Sequence, residues 1–175
     1  MNADKIYLVG YMAVGKSTVA RALAPRLGWE MHDIDDLVEV RERRTIGDIF
    51  AREGEQYFRT IEREMLRLIA PLRRSVIATG GGTFADSENR QSINADGLSV
   101  WLDVPFDEVL TRLPADPRRP LSGDRAAMER LYLARRPAYQ QAHVRIDAYG
   151  RPVPAIVEEI VAVLEGLPAD GLIVD

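Results

Sequence analysis

Between Gly10 and Ser17 the chain reads Gly-Tyr-Met-Ala-Val-Gly-Lys-Ser, with Thr18 directly behind. This fits G-x-x-x-x-G-K-[ST], and the chemistry it can do is to hold polyphosphate. Backbone N–H groups of such a turn, with the unpaired donors at the following helix N-terminus, form a concave anion site. Gly10 and Gly15 allow positive φ and close approach of phosphate oxygens without a Cβ in the way. Lys16 supplies a mobile positive charge for the β- and γ-phosphates, and the Ser17 hydroxyl can ligate Mg²⁺. A glycine turn that binds nothing is the competing reading. At a glycine frequency of about 7%, a chance match in a chain this long is on the order of one in a hundred or less, so phosphate binding is preferred.

Three further sets of residues can do chemistry. Asp33 and Asp35, in Asp-Ile-Asp-Asp, point to the same side if the chain stays extended there. One carboxylate could then assist Mg²⁺ while the other accepts a hydrogen bond from a substrate hydroxyl. An acidic helix start, favourable against the macrodipole, explains the same residues equally well. Gly80-Gly81-Gly82 costs backbone entropy and offers no packing, which fits close approach of a ligand better than a linker. Arg59, Arg119 and Arg135 suit bidentate contact with carboxylate or phosphate. Singly, each is as well explained as a solvated or helix-paired surface arginine.

The elements that must position these groups can be read from periodicity. Lys5 to Val9 is a short apolar strand ahead of the glycine turn. Val19, Ala20, Leu23 and Leu27 follow at helical spacing up to Gly28, a natural stop. Trp29 to Asp33 is a brief second strand. Leu37, Val38 and Val40 continue as a helix to about Arg44. Thr45 caps a segment from Ile46 to Arg52, with Asp48 at the capping-box position. Gly54 breaks it. Gln56 to Ile69 is then an amphipathic helix with Phe58, Ile61, Met65, Leu68 and Ile69 on one side, ended by Pro71.

Ser75 to Thr79 is a strand leading into the three glycines. A short helix over Ser87 to Asn94 precedes a strand from Leu98 to Val104, and Pro105 starts the next helix. Pro114 to Arg125 is rich in Pro, Arg, Asp and Gly without apolar periodicity and reads as a mobile loop. Ala126 to Arg135 is helical, and Pro137 is expected to interrupt it. Val144 to Asp147 is a last strand, and Pro154 to Leu164 a last helix. Strands alternating with helices predict an α/β domain whose parallel sheet is covered on both faces, with substrates beyond the carboxyl ends of the strands.

The 175 residues predict one domain, 1–175, with a loop insertion rather than a second unit. A net charge of −4 gives no basic field for nucleic acid. The absence of cysteine removes disulfides, thiolate metal sites and thiol nucleophiles, and suits a reducing cytoplasm. No signal-peptide pattern and no apolar run near the ~20 residues of a membrane span are present, so a cytoplasmic protein without membrane contact is expected. His32 and His143 are read as ordinary polar residues.

In order along the chain stand G-x-M-x-x-G-K-S-T at Gly10 to Thr18, D-x-D at Asp33 to Asp35 and G-E-x-x-F-R-x-x-E at Gly54 to Glu62. They are followed by G-G-G at Gly80 to Gly82, R-P-L at Arg119 to Leu121 and R-x-P-x-Y at Arg135 to Tyr139. This succession resembles the shikimate kinase family, P-loop phosphotransferases akin to nucleoside monophosphate kinases, over nearly the whole chain. The resemblance implies a three-layer α/β/α P-loop kinase fold with a five-stranded parallel sheet. It implies a substrate-binding helical segment at about 33–62, a lid at about 114–125 and a tail at 166–175. It also implies ATP and Mg²⁺, shikimate as the small-molecule partner, and a monomer.

Carried over residue by residue, the resemblance makes Lys16, Asp35 and Arg119 catalytic, with Ser17 and Asp33 at the metal. Asp35, Phe58, Arg59, Gly81, Gly82 and Arg135 would bind shikimate, with Glu62 orienting Arg59. Ala13, Val14, Gly15, Lys16, Ser17 and Thr18 would hold the nucleotide phosphates, together with Arg119. Arg112 and Arg151 would flank adenine, with Pro152 or Pro154 completing the sandwich.

Two positions depart from the family pattern. Ala13 stands where glycine is usual, acceptable at negative φ and awkward otherwise. Arg-Pro-Leu-Ser replaces the more frequent Arg-Pro-Leu-Leu at the lid. The expected reaction is transfer of the ATP γ-phosphoryl group to the 3-hydroxyl of shikimate. The alternatives are a related kinase such as one for gluconate, which also carries a carboxylate and hydroxyls, or a nucleotide-binding module that has lost transfer. ADP release measured with shikimate and with gluconate separates them.

Overall fold

The computed structural model describes residues 4–113 and 125–166. Five strands are present: β1 (Lys5–Val9), β2 (Glu30–Asp33), β3 (Ser75–Ala78), β4 (Leu98–Asp103) and β5 (Val144–Asp147). They form one all-parallel sheet in the order β2-β3-β1-β4-β5. The central strands β1, β3 and β4 are buried at every position, as a parallel sheet covered on both faces requires. The edge strand β5 alternates buried and exposed.

The helices are α1 (Lys16–Leu27), α2 (Ile34–Glu42), α3 (Ile46–Ile69), α4 (Ser87–Asp96), α5 (Phe106–Arg112), α6 (Arg125–Tyr139) and α7 (Val153–Leu164). This is the α/β class expected from the alternation of patterns. In register, Asp33 lies beside Ala78, Ala78 beside Leu8, and Val9 beside Trp101. The glycine turn, the acids and the three glycines therefore all emerge at one rim, around the point where strand order switches at β1.

Local signals hold where the chemistry is strong. Gly28 ends α1 at φ 66°, its N–H reaching the Pro25 carbonyl at 3.1 Å. Thr45 caps α3 by accepting from the Asp48 N–H at 3.1 Å. Gly54, at φ 83° and ψ 174°, is a non-helical joint inside α3, so two helical segments meet there without a loop.

Elsewhere the structure corrects the pattern. Helix α2 begins at Ile34 rather than Leu37, because the Asp33 side chain caps it. Leu68, expected on the inward face of its helix, is exposed, and so is Val40. The buried stripe of α3 instead runs through Phe58, Ile61, Glu62, Met65, Leu66 and Ile69, the i, i+3, i+4 spacing of one face. Helix α6 passes through Pro137 without interruption. The carbonyl that proline frees belongs to Leu133, an exposed residue, where water can satisfy it.

Candidate active site

The turn after β1 is built as its sequence requires, with one exception. Gly10 sits at φ 138°, and a Cβ there would come 2.8 Å from the Leu102 carbonyl oxygen. Gly15, at φ 98°, is the residue before α1. Ala13 is also left-handed, at φ 59°. The condition for an unstrained alanine is not met, and the position pays the Cβ clash of about 1–2 kcal/mol that glycine avoids.

Lys16 opens α1 and is buried. Its Nζ donates to the Gly10 and Tyr11 carbonyls at 2.9 and 2.6 Å. Burial lowers its pKa to about 8, against the opposing pull of Asp35 and Asp33. The ammonium therefore still carries its charge at neutral pH.

The chain does not stay extended through Asp33–Asp35. Asp33 is the N-cap of α2, its Oδ1 accepting from the Asp35 N–H at 3.0 Å, so the acidic helix start is real. The second oxygen of Asp33 has another partner. Asp33 Oδ2 accepts from Ser17 Oγ at 2.5 Å, which joins the two expected metal ligands at the mouth of the turn. Among the described residues no cluster of three or more metal-ligating side chains forms. Two oxygen donors beside a phosphate cradle fit Mg²⁺, which keeps water and takes substrate phosphates as further ligands.

Asp35 is enclosed in the first turn of α2. Its Oδ1 is buried without a hydrogen-bond partner. Burial, then Asp33 and Glu62, push its pKa up to about 6, while Lys16 and Arg59 hold it down.

Helix α3 carries the first guanidinium. Arg59 Nη1 donates to Glu62 Oε2 at 2.9 Å, and Nε and Nη2 reach Glu55 Oε1 at 3.4 and 3.2 Å. Glu62 is fully buried and spends its other oxygen on Thr83 Oγ1 at 2.6 Å. Both carboxylate oxygens are thus used, and the expected orienting contact to Arg59 exists. Phe58 is buried beside Phe50, with the Arg59 guanidinium 5.1 Å from its ring centre. Gly82 lies so close that a Cβ would be 2.3 Å from Arg59 Nη2.

Arg135, on α6, has its guanidinium 5.8 Å from the Tyr11 ring centre and 3.6 Å from where a Gly81 Cβ would be. Helix α6 is tied to the rim at three levels. Tyr11 Oη donates to the Met128 carbonyl at 3.1 Å, and Tyr132 Oη to the Val104 carbonyl at 3.0 Å. Arg136 pairs with Asp103 at 2.9 Å.

A cavity of about 630 Å³ runs along the glycine turn and reaches Asp35 and Gly81. Ala13, Val14, Gly15, Lys16, Ser17 and Thr18 form one wall, with Asp35 and Gly81 at one end and Arg112 and Arg151 at the other. Arg59, Gly82, Arg135 and Phe58 stand behind the Asp35–Gly81 end rather than on the cavity wall itself. Arg151 is braced by the Asp147 carbonyl at 3.1 Å, and Arg112 by Glu108 at 3.0 Å. Arg119, the expected lid except Arg125, and the tail beyond Gly166 lie outside the described residues.

The sequence reading missed the ties that hold α6, because Arg136 and Asp103 are 33 positions apart and nothing local pairs them. It also gave no role to Glu55, Thr83 or Tyr139, although Glu55 and Tyr139 stand inside quoted motifs.

A phosphate cradle opening α1 after a central strand, with strand order 2-3-1-4-5 and Asp35 grouped with Arg59 and Arg135 at the same rim, defines a P-loop phosphotransferase. The family model described as shikimate kinase matches residues 12–165. The shikimate kinase of Persephonella marina is 42% identical over 156 residues, covering 89% of this chain and 95% of that protein. The solved shikimate kinase of Acinetobacter baumannii, in complex with shikimate, superposes with a TM-score of 0.88 at 34% identity and 93% coverage of each chain. A gluconokinase from Sinorhizobium meliloti shares the fold alone, with a TM-score of 0.57 at 18% identity. The chain belongs to the shikimate kinase family, whose co-substrate is ATP.

Proposed function

We infer that this chain transfers the γ-phosphoryl group of ATP to the 3-hydroxyl of shikimate, giving shikimate 3-phosphate and ADP, a step of aromatic (chorismate) biosynthesis. The observation that carries this reading is the buried, unpartnered Asp35 Oδ1 at the junction between the phosphate cradle and the arginine pair. A buried carboxylate oxygen without a donor is costly, and a substrate hydroxyl is the donor that fits it.

Arg59 and Arg135 hold the shikimate carboxylate, with the Gly81 and Gly82 N–H groups beside them and Phe58 behind Arg59. That carboxylate fixes the ring so that the hydroxyl meets Asp35. The oxygen forms its bond to the γ-phosphorus as the β–γ bridging bond breaks, and the hydroxyl proton passes to Asp35. With a pKa of about 6, Asp35 is ionised at neutral pH yet basic enough to take that proton. The transition state is loose, so positioning and charge neutralisation do most of the work. Lys16 neutralises the β- and γ-phosphates once it leaves its loop carbonyls. Arg119, assigned from its R-P-L motif alone, is proposed to do the same from the lid. Ser17 and Asp33 would hold Mg²⁺, which when bound offsets phosphate charge. Arg112 and Arg151 would flank adenine.

We further propose a cytoplasmic monomer. The net charge of −4 argues against a nucleic-acid partner. No helix among the described residues is long and apolar enough to cross a membrane. The test is ADP release in a coupled assay, with shikimate and with gluconate. Turnover confined to shikimate is expected; turnover confined to gluconate would overturn the substrate.

A further inference from the structure

From the last turn of α6, Tyr139 Oη reaches the glycine turn after β3 and donates to the Gly81 carbonyl at 2.5 Å. A trans peptide is planar, so the Gly81 carbonyl and the Gly82 N–H belong to one rigid unit and point opposite ways. Pinning the first aims the second. Neither the Gly81 nor the Gly82 N–H donates to an acceptor among the described residues, and Gly82 is buried. A buried donor of this kind needs an acceptor from elsewhere. Its neighbours say what that acceptor is. The Arg59 guanidinium lies against Gly82, and Arg135, one helical turn before Tyr139, lies against Gly81. Two cations and a free amide converging on one turn call for an anion, which on the reading of the site above is the substrate carboxylate.

We propose that Tyr139 is a positioning residue, its hydroxyl locking the Gly81–Gly82 peptide so that the Gly82 N–H joins Arg59 and Arg135 in holding the substrate carboxylate. The inference rests on the reading of the site as a kinase for a hydroxy acid. Without this strut, a run of three glycines has wide backbone freedom, and the amide would have to be ordered anew at each binding event. Burial raises the Tyr139 phenol pKa, so the group is a donor throughout the neutral range. Phenylalanine would keep the ring contact with Trp101, whose centre is 6.0 Å away, but would lose the strut and the interaction of the phenol oxygen with Arg135.

The experiment titrates wild type and Tyr139→Phe with shikimate and with an analogue bearing a hydroxymethyl group in place of the carboxylate. Tyr139→Phe should lose about tenfold in shikimate affinity, the lower end of what one hydrogen bond to a charged group contributes. It should bind the neutral analogue as wild type does and keep the wild-type KM for ATP. The ¹⁵N-labelled Gly82 amide resonance, which should move when wild type binds shikimate, should move little in the variant.

Unchanged shikimate affinity, equal losses for both ligands, or a Gly82 amide that moves on binding as in wild type would overturn the proposal, equal losses marking a merely structural role and the moving amide marking an effect through Arg135 instead. A wild type that binds acid and neutral analogue alike would instead defeat the carboxylate clamp itself. Should Tyr139→Phe fail to fold, 3-fluorotyrosine at the same position, a stronger donor, replaces it. That protein must favour the acid over the neutral analogue more than wild type does, and an unchanged ratio refutes the strut.

Discussion

Adding one methyl at Gly82 tests the arginine clamp without touching a charged residue. In Gly82→Ala the new Cβ would lie 2.3 Å from Arg59 Nη2 and 2.6 Å from its Cζ and Nη1. Gly82 is not at positive φ, so the backbone accepts alanine and the strain falls on the guanidinium. Arg59 must swing away, which breaks its 2.9 Å bond to the buried Glu62 and removes it from the position proposed to hold the substrate carboxylate. A hydrogen bond to a charged group contributes about 1.5–3 kcal/mol, so the KM for shikimate should rise by roughly 10- to 150-fold. The phosphate cradle is untouched, and the KM for ATP should stay within about twofold. Steady-state kinetics with each substrate varied in turn reads both numbers. A double-mutant cycle adds the decisive control: with Arg59→Ala already present, Gly82→Ala should cost little more. Full additivity, or a shikimate KM unchanged in the single variant, would refute the claim that the glycine exists to make room for Arg59.

Other perturbations act on separate parts of the site. Lys16→Ala should abolish turnover while the thermal midpoint stays near wild type; a fully active variant would remove Lys16 from the phosphate role. Asp35→Asn should mainly lower kcat, and normal kinetics would dismiss both its orienting and its proton-accepting roles. The proposed proton-accepting role needs ionised Asp35, whose pKa is raised to about 6, so kcat/KM for shikimate should fall about tenfold per unit below that pH. A pH profile flat down to about 4.5 would contradict the assignment. Arg135→Ala should weaken shikimate binding by roughly 1.5–3 kcal/mol, measured by calorimetry, and an unchanged affinity would place the carboxylate elsewhere.

What the sequence discloses here is local chemistry with a fixed period or spacing. The glycine turn, the caps at Thr45 and Gly28, the buried strands and the break at Gly54 each depend on residues within a few positions of one another. The alternation of strands and helices was therefore legible, and so was the rim at which the motifs gather. Pairings across the fold were not. Thr83 to Glu62 spans 21 positions, Arg136 to Asp103 spans 33 and Tyr139 to Gly81 spans 58. No periodicity reports such contacts. The acids at 33 and 35 fall between these cases: a carboxylate that caps a helix and one that meets a metal share the same sequence signal, and Asp33 is the cap while its metal role is proposed. Ala13 is the reverse case, where a residue type argued for negative φ and the turn imposed the opposite sign.

The arrangement of charge also explains why a hydroxy acid suits this pocket better than a nucleoside monophosphate. Asp35 lies between Lys16 and Arg59 in an enclosed site and draws on both. A phosphate brought against Asp35 would set two anions together where solvent screens them poorly. A hydroxyl group brings no charge and donates the hydrogen bond that Oδ1 lacks. The anion must then sit at the far side of the acceptor, where Arg59 is already neutralised in part by Glu55 and Glu62. Arg135 beside it supplies the further positive charge, enough for a single anion rather than two. One carboxylate at one end and a hydroxyl at the other satisfies both ends, and the distance between them is set by the ring that carries them.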